Sequence, residues 1–156
     1  MNTKTLRTLS SVFLFIFLSN ELLADQGISS DQILIGMHTD ISGPASMIGK
    51  QSVDGANMRF NEFNENGGAF GRTIKLIVED HQYTVPRAVQ AANKLLRKDK
   101  VAFMMGSLGT PMNNAVMTDQ LAMNVPNLFP LTAARSMFDP FDLSLIHISE
   151  PTRPRI

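Results

Sequence analysis

The sequence contains no cysteine. That excludes disulfide scaffolds, thiolate metal sites and cysteine nucleophiles. It also excludes a lipid-anchored form, because lipid attachment behind a bacterial signal needs a cysteine at the cleavage point. Net charge is zero and no arginine-rich run occurs, which argues against nucleic acid as a partner. No apolar run approaches the roughly 20 residues that a membrane span requires.

Signatures of catalysis are missing as well. The stretch Gly43–Gln51 resembles a phosphate loop, but five residues separate its glycines and Gln51, not a hydroxyl residue, follows Lys50. A phosphate loop needs four, and a Mg²⁺-binding Ser or Thr. Around Ser107, Met105 stands where a nucleophile elbow needs its first glycine. Gly67–Gly71 lies between a helix and a strand, the reverse of a dinucleotide fingerprint. His38 and His81 lack metal-ligand spacing and read as satisfied structural histidines. Glu79 and Asp80 are adjacent on a strand, so they point to opposite faces and form no acid/base pair. No cofactor is expected.

What is present is orderly. Hydrophobic residues make up 44% and charged residues 18% of the chain, a globular composition with room for about one domain. Lys4 and Arg7 precede the short apolar run Val12–Leu18, and Ala24 offers a cleavage point. This is the pattern of a secretory signal over residues 1–24. Cleavage would leave a chain starting near Asp25, with no stable membrane insertion and a periplasmic location.

Beyond it, strands and helices alternate. Gln32–His38 is a mostly apolar run, as a buried parallel strand should be. Thr39–Gly49 is rich in Gly, Pro and Ser and reads as a loop. Val53, Ala56, Phe60 and Phe63 then recur at helical spacing, and Asn66–Gly68 stops that helix. Arg72–Asp80 alternates as a second strand. Pro86 opens a second helix with Ala88, Ala92, Leu95 and Leu96 as its buried stripe. Lys94, Arg97 and Lys98 sit at its negative end. A third strand from Val101 to Gly106, a third helix from Met112 and a short fourth strand around Asn127 follow. The abundant Met and Phe residues read as core filling.

This βαβαβαβ order predicts an α/β fold, an open parallel sheet with helices on both faces and strand order 2-1-3-4. In such sheets ligands bind beyond the carboxyl ends of the strands, where crossovers diverge. The loops at that point are Thr39–Gly49 and Gly106–Pro111. In the second, Thr110 is a suitable N-cap and Pro111 a suitable first helical residue. The free amides of that helix start, with the hydroxyls of Ser107 and Thr110, suit a carboxylate. From these residues alone plain capping is the favoured explanation of Thr110, because such caps are common.

The "SGP…G" loop after strand one, the helix ending "NENGG", the strand "RTIKLIVED", "AVQAANKL" and the "GSLGT" loop together resemble type I periplasmic binding proteins of the leucine/isoleucine/valine-binding family. These are solute receptors of ABC importers, and the resemblance runs from about Gln32 to Phe141. It implies the N-terminal lobe (residues 25–142) of a non-catalytic, two-lobed protein that closes on a small amino acid or amide and delivers it to permease subunits. It further implies ligand contacts from Ser107, Leu108, Gly109 and Thr110, from Leu131, Thr132 and Ala133, and a pocket wall including Ser42 and Ile48. Ile48 replaces an aromatic common in amino-acid binders, and Gly109 a residue of an often Ser-rich loop. A sensory ectodomain of the same fold is the alternative; a flavodoxin-like enzyme lacks the residues for it.

The tail does not continue the pattern. Leu143–Arg153 resembles the in-frame translation of a transposon-end sequencing adaptor, so residues 143–156 are expected to be non-native and His147 and Glu150 to carry no function. As physics alone, "LSLIHIS" alternates and could form a fifth strand.

Overall fold

The computed structural model describes residues 26–137 and the strand pair 145–146. Residues 1–24, expected to be a secretory signal, and the rest of the tail lie outside the described residues. Strands β1 (Gln32–Thr39), β2 (Thr73–Asp80), β3 (Phe103–Met105), β4 (Asn127–Leu128) and β5 (Leu145–Ile146) form one sheet, ordered β2-β1-β3-β4-β5. Every ladder is parallel: Gln32 to Thr39 faces Thr73 to Asp80, Ile35 faces Phe103, Met104 faces Asn127, and Asn127 faces Leu145. The order 2-1-3-4 is thus as expected. The dipeptide β5 adds only backbone pairing to the open edge of β4, an edge that accepts any extended segment.

Helices α1 (Ser46–Glu65), α2 (Val85–Asn93) and α3 (Thr110–Ala122) make the crossovers. The step from β1 to β2 runs one way along the sheet and the later steps run the other. Right-handed crossovers therefore put α1 on one face and α2 and α3 on the opposite face. The α2/α3 face holds the main core. Ala92, Leu95, Leu96, Val101, Met104, Val116 and Val125 are buried together, with Leu34 and Ile77 packed against them. Ala88 is buried too, as the stripe predicts. The end of α2 widens into a π turn, Lys94–Lys98, that carries Leu95 and Leu96 into this core. Lys94 bonds Glu79 of β2 and Asp99, so it fastens α2 to the sheet besides meeting the helix dipole.

Three expectations change. Helix α1 begins at Ser46, inside the segment read as loop. The cause is Asp40, whose carboxylate accepts the N–H groups of Gly43 (2.5 Å) and Ala45 (2.7 Å) and winds the chain into a turn before the helix. Second, Val53, Ala56, Phe60 and Phe63 are only half-buried, and Gly49 is the sole buried residue of α1. Among the described residues its stripe rests on one side of the sheet without a second helix against it. Third, among the described residues four methionines are fully buried and no phenylalanine is, although Met47 and Met58 are each 71% exposed. Met37, Met104, Met112 and Met137 are at most 1% exposed, whereas Phe70 and Phe129 are 98% and 43% exposed. The described phenylalanines in elements, Phe60, Phe63 and Phe103, are half-buried.

Candidate functional site

At the carboxyl ends of β1 to β4 the loops are joined to one another. Leu131 N–H donates to the Ser107 carbonyl (2.9 Å) and Gly109 N–H to the Leu131 carbonyl (3.0 Å), so the loops after β3 and β4 continue the parallel pairing beyond the sheet. Leu108 N–H donates to the His38 carbonyl (3.1 Å), anchoring the same loop to β1.

Thr110 is not the N-cap. Gly109, with φ +99°, occupies the position before α3 and has no side chain to cap it, and Thr110 is the first helical residue. A side chain at Gly109 would be strained there, and its Cβ would lie 2.2 Å from Met112 Cε. Thr110 Oγ1 instead lies 2.8 Å from Thr132 Oγ1 and accepts the Ala133 N–H at 3.2 Å. Its hydroxyl thus joins two loops and leaves the helix start uncapped. Asn113 N–H returns to the Gly109 carbonyl, Pro111 has no N–H, and the amides of Thr110 and Met112 have no intrahelical acceptor by helix geometry.

Buried amides support this floor. Asn113 Nδ2 donates to the carbonyls of Ser107 (2.9 Å) and Gly109 (2.8 Å), while its Oδ1 accepts from Asn127 of β4 (3.1 Å). Each such bond contributes about 1 kcal/mol, and losing one leaves a costly buried orphan.

The β1–α1 loop is held by Asp80. Its Oδ1 accepts from Ile41 N–H (2.9 Å) and Gln82 N–H (3.0 Å), and its Oδ2 from the Ser42 hydroxyl (2.6 Å). Partial burial pushes the Asp80 pKa up, but these hydrogen bonds together outweigh it and lower the value to about 2. Gln82 Nε2 in turn donates to Ser42 Oγ (2.9 Å). The Ser42 hydroxyl is therefore engaged within the loop.

Two histidines lie beneath. His38 and His81 are fully buried, with ring centroids 5.6 Å apart. Tyr83 N–H donates to His81 Nδ1 (3.0 Å), so the proton of the neutral ring sits on Nε2 and is donated to the Leu108 carbonyl (3.0 Å). Burial, partly offset by that bond and by Asp40 and Asp80, lowers the His81 pKa. His38 corrects the expectation of a satisfied histidine, because neither ring nitrogen has a hydrogen-bond partner. Burial first, and the neighbouring His81 second, lower its pKa to about 3.

Of the sequence-derived site residues, Thr110, Leu131, Thr132 and Ala133 come together at the surface, while Ser107, Leu108 and Gly109 lie buried beneath them. The Ser107 hydroxyl is enclosed without a partner, and the residue acts through its carbonyl. Ser42 is exposed on the neighbouring loop, and Ile48, 50% exposed, lies in the first turn of α1. Sequence reasoning missed the β2–α2 loop, Asp80 to Thr84, because β2 is not adjacent to β3 in the sheet. Among the described residues no His, Asp or Glu cluster could hold a metal ion, and no helix is long and apolar enough to cross a membrane.

A doubly wound parallel sheet ordered 2-1-3-4, with its loops interlinked at the switch point, defines the lobe of a type I periplasmic binding fold. The family model described as periplasmic binding protein matches residues 32–140, and the chain belongs to that family. A Leu/Ile/Val-binding protein of Rhizobium johnstonii is 31% identical over 84 residues, 54% of this chain and 23% of that protein. A substrate-binding periplasmic protein from Ralstonia solanacearum superposes with TM-score 0.65 at 27% identity, over 68% of this chain and 31% of that one. A fatty acid ABC transporter substrate-binding protein from Thermomonospora curvata gives 0.62 at 26%, over 74% and 28%. The chain thus spans about a quarter to a third of the relatives it matches. These relatives are named as binding proteins of solutes or transport substrates, not as enzymes.

Proposed function

We propose that residues 25–142 form the N-terminal lobe of an extracytoplasmic receptor that captures a small amino acid or amide and hands it to the permease of an ABC importer. In this reading residues 1–24 direct export to the periplasm and residues 143–156 are not native. The observation that carries it is the uncapped start of α3. Thr110 gives its hydroxyl to Thr132 and Ala133 and not to its own helix, so the positive end of the helix lies at this edge with the Thr110 amide to offer a carboxylate. Ser42, Ile48, Leu131, Thr132 and Ala133 would line the same half-cleft, with Ser107, Leu108 and Gly109 as its floor. The relatives' named roles in binding Leu, Ile and Val and in ABC transport support the same reading.

Calorimetry on the intact protein with amino acids and their amides is the test. Binding of a free amino acid that is lost when its carboxylate is amidated supports a carboxylate at α3. Absence of binding across the panel would sink the amino-acid reading, and turnover of any member would sink the receptor reading.

A further inference from the structure

We propose that Tyr83 is a specificity-determining residue of this cleft, presenting its ring to the apolar part of a carboxylate ligand. The inference rests on the functional reading above.

The loop after β2 passes over the end of β1 to reach the loop after β3, because His81 of the first bonds the Leu108 carbonyl of the second. It therefore delivers Tyr83 to the start of α3, two strands away from its own. There the ring lies against Gly109: a Cβ on that glycine would be 3.3 Å from Tyr83 Cε2. Gly109 stands in a loop that is often Ser-rich in the family it resembles, so it removes a hydroxyl. In the structure it is also the gap that admits the ring beside the uncapped helix end.

The backbone shows that this placement is enforced. Gln82 and Tyr83 are consecutive non-glycine residues with φ +50° and +55°. Such left-handed geometry is costly for a bulky residue and persists only where its surroundings over-determine it. Here Gln82 is held at its amide by Asp80 and at its side chain by Ser42. Tyr83 is held at its amide by His81, and its ring meets the His81 ring edge-on with centroids 6.4 Å apart. The strain orders an aromatic ring and leaves it 40% exposed.

The surroundings select the ligand's chemistry. Phe129 and Leu131 on the loop after β4 and Met47 and Ile48 in the first turn of α1, at 43%, 39%, 71% and 50% exposure, are among the large apolar side chains left open at this edge. A ligand with its carboxylate at α3 and an apolar group next to it would bury that group on Tyr83. An aromatic face is favoured for such a contact because it supplies area with few rotatable bonds.

The experiment is calorimetric titration of the intact protein with L-alanine, L-leucine and L-phenylalanine, for the unaltered chain and for Tyr83→Gly and Tyr83→Phe. Glycine accepts positive φ, so Tyr83→Gly removes the ring without opposing the backbone. The expected result is that Tyr83→Gly weakens the tighter of leucine and phenylalanine about tenfold or more and alanine less than about threefold, while Tyr83→Phe stays within about threefold. Equal weakening of all three ligands, or unchanged affinities, in Tyr83→Gly overturns the proposal and leaves the carboxylate site standing. Failure of the unaltered protein to bind any of them overturns both.

Discussion

Acid should destabilise the intact protein through His38. The side chain is fully buried, neither ring nitrogen has a partner, and its pKa in the fold is about 3 against an ordinary 6.5. Between those two values the unfolded chain binds a proton that the folded chain does not. Unfolding then takes up protons, so stability is complete above the unfolded value and is lost as pH falls toward the folded one. Each pH unit in that window removes about 1.4 kcal/mol. Moving from about pH 7.5 to about pH 5 therefore costs roughly 2 kcal/mol from His38 alone. His81, also lowered by burial, acts in the same direction. Asp80, lowered from 3.8 to about 2, adds a separate loss confined to pH below its unfolded value. Urea denaturation followed by circular dichroism across this range measures the slope. The control is His38→Leu, which removes the titrating ring and has no hydrogen bond to break. It should cost under about 1 kcal/mol at neutral pH and flatten the curve. Equal stability at both ends of the range, or an undiminished slope in His38→Leu, would refute the reasoning.

Two glycines of α1 should respond oppositely to alanine. At Gly49 a Cβ would lie 1.9 Å from the Asp40 carbonyl oxygen, a backbone atom that cannot step aside, so Gly49→Ala should cost about 3 kcal/mol or more in chemical denaturation. At Gly55 a Cβ meets nothing within 4 Å, and Gly55→Ala should stabilise by about 0.5–1 kcal/mol through helix propensity. Asp80→Asn keeps the shape but replaces charge-assisted bonds to Ile41, Ser42 and Gln82. It should speed hydrogen exchange at Ile41 and Gln82 while leaving amides of β1 unchanged. Thr110→Val removes the link to Thr132 and Ala133 and should lower stability by about 1 kcal/mol, measured by thermal unfolding.

The sheet was readable from the chain because alternation of strand and helix is a local property. Leu34, Leu95 and Val101 are apolar where a buried parallel layer requires it, and right-handed crossovers leave few strand orders to choose from. The loops at the switch point followed from that topology. What escaped depends on partners far along the chain. Thr110 looks like a cap until its hydroxyl meets Thr132, 22 residues on. Helix α1 starts early because one carboxylate, Asp40, collects amides on the turn ahead of it. Tyr83 gave no signal as the one tyrosine in a polar loop, since its position is set by the bond from His81 to Leu108, 27 residues away. His38 was recognised as structural, but its lack of partners is a fact of three-dimensional enclosure that spacing does not encode.

The wiring of the loops bears on how such a receptor changes its ligand over evolutionary time. Ser42 touches Asp80 and Gln82, Gln82 precedes Tyr83, His81 reaches Leu108, and Gly109 pairs with Leu131. No loop at this edge can be retuned without shifting its neighbour. Substitutions here should therefore be epistatic, with effects that fail to add because the residues share partners. New specificities would then arise through coordinated sets of changes, and single-site libraries would undersample them.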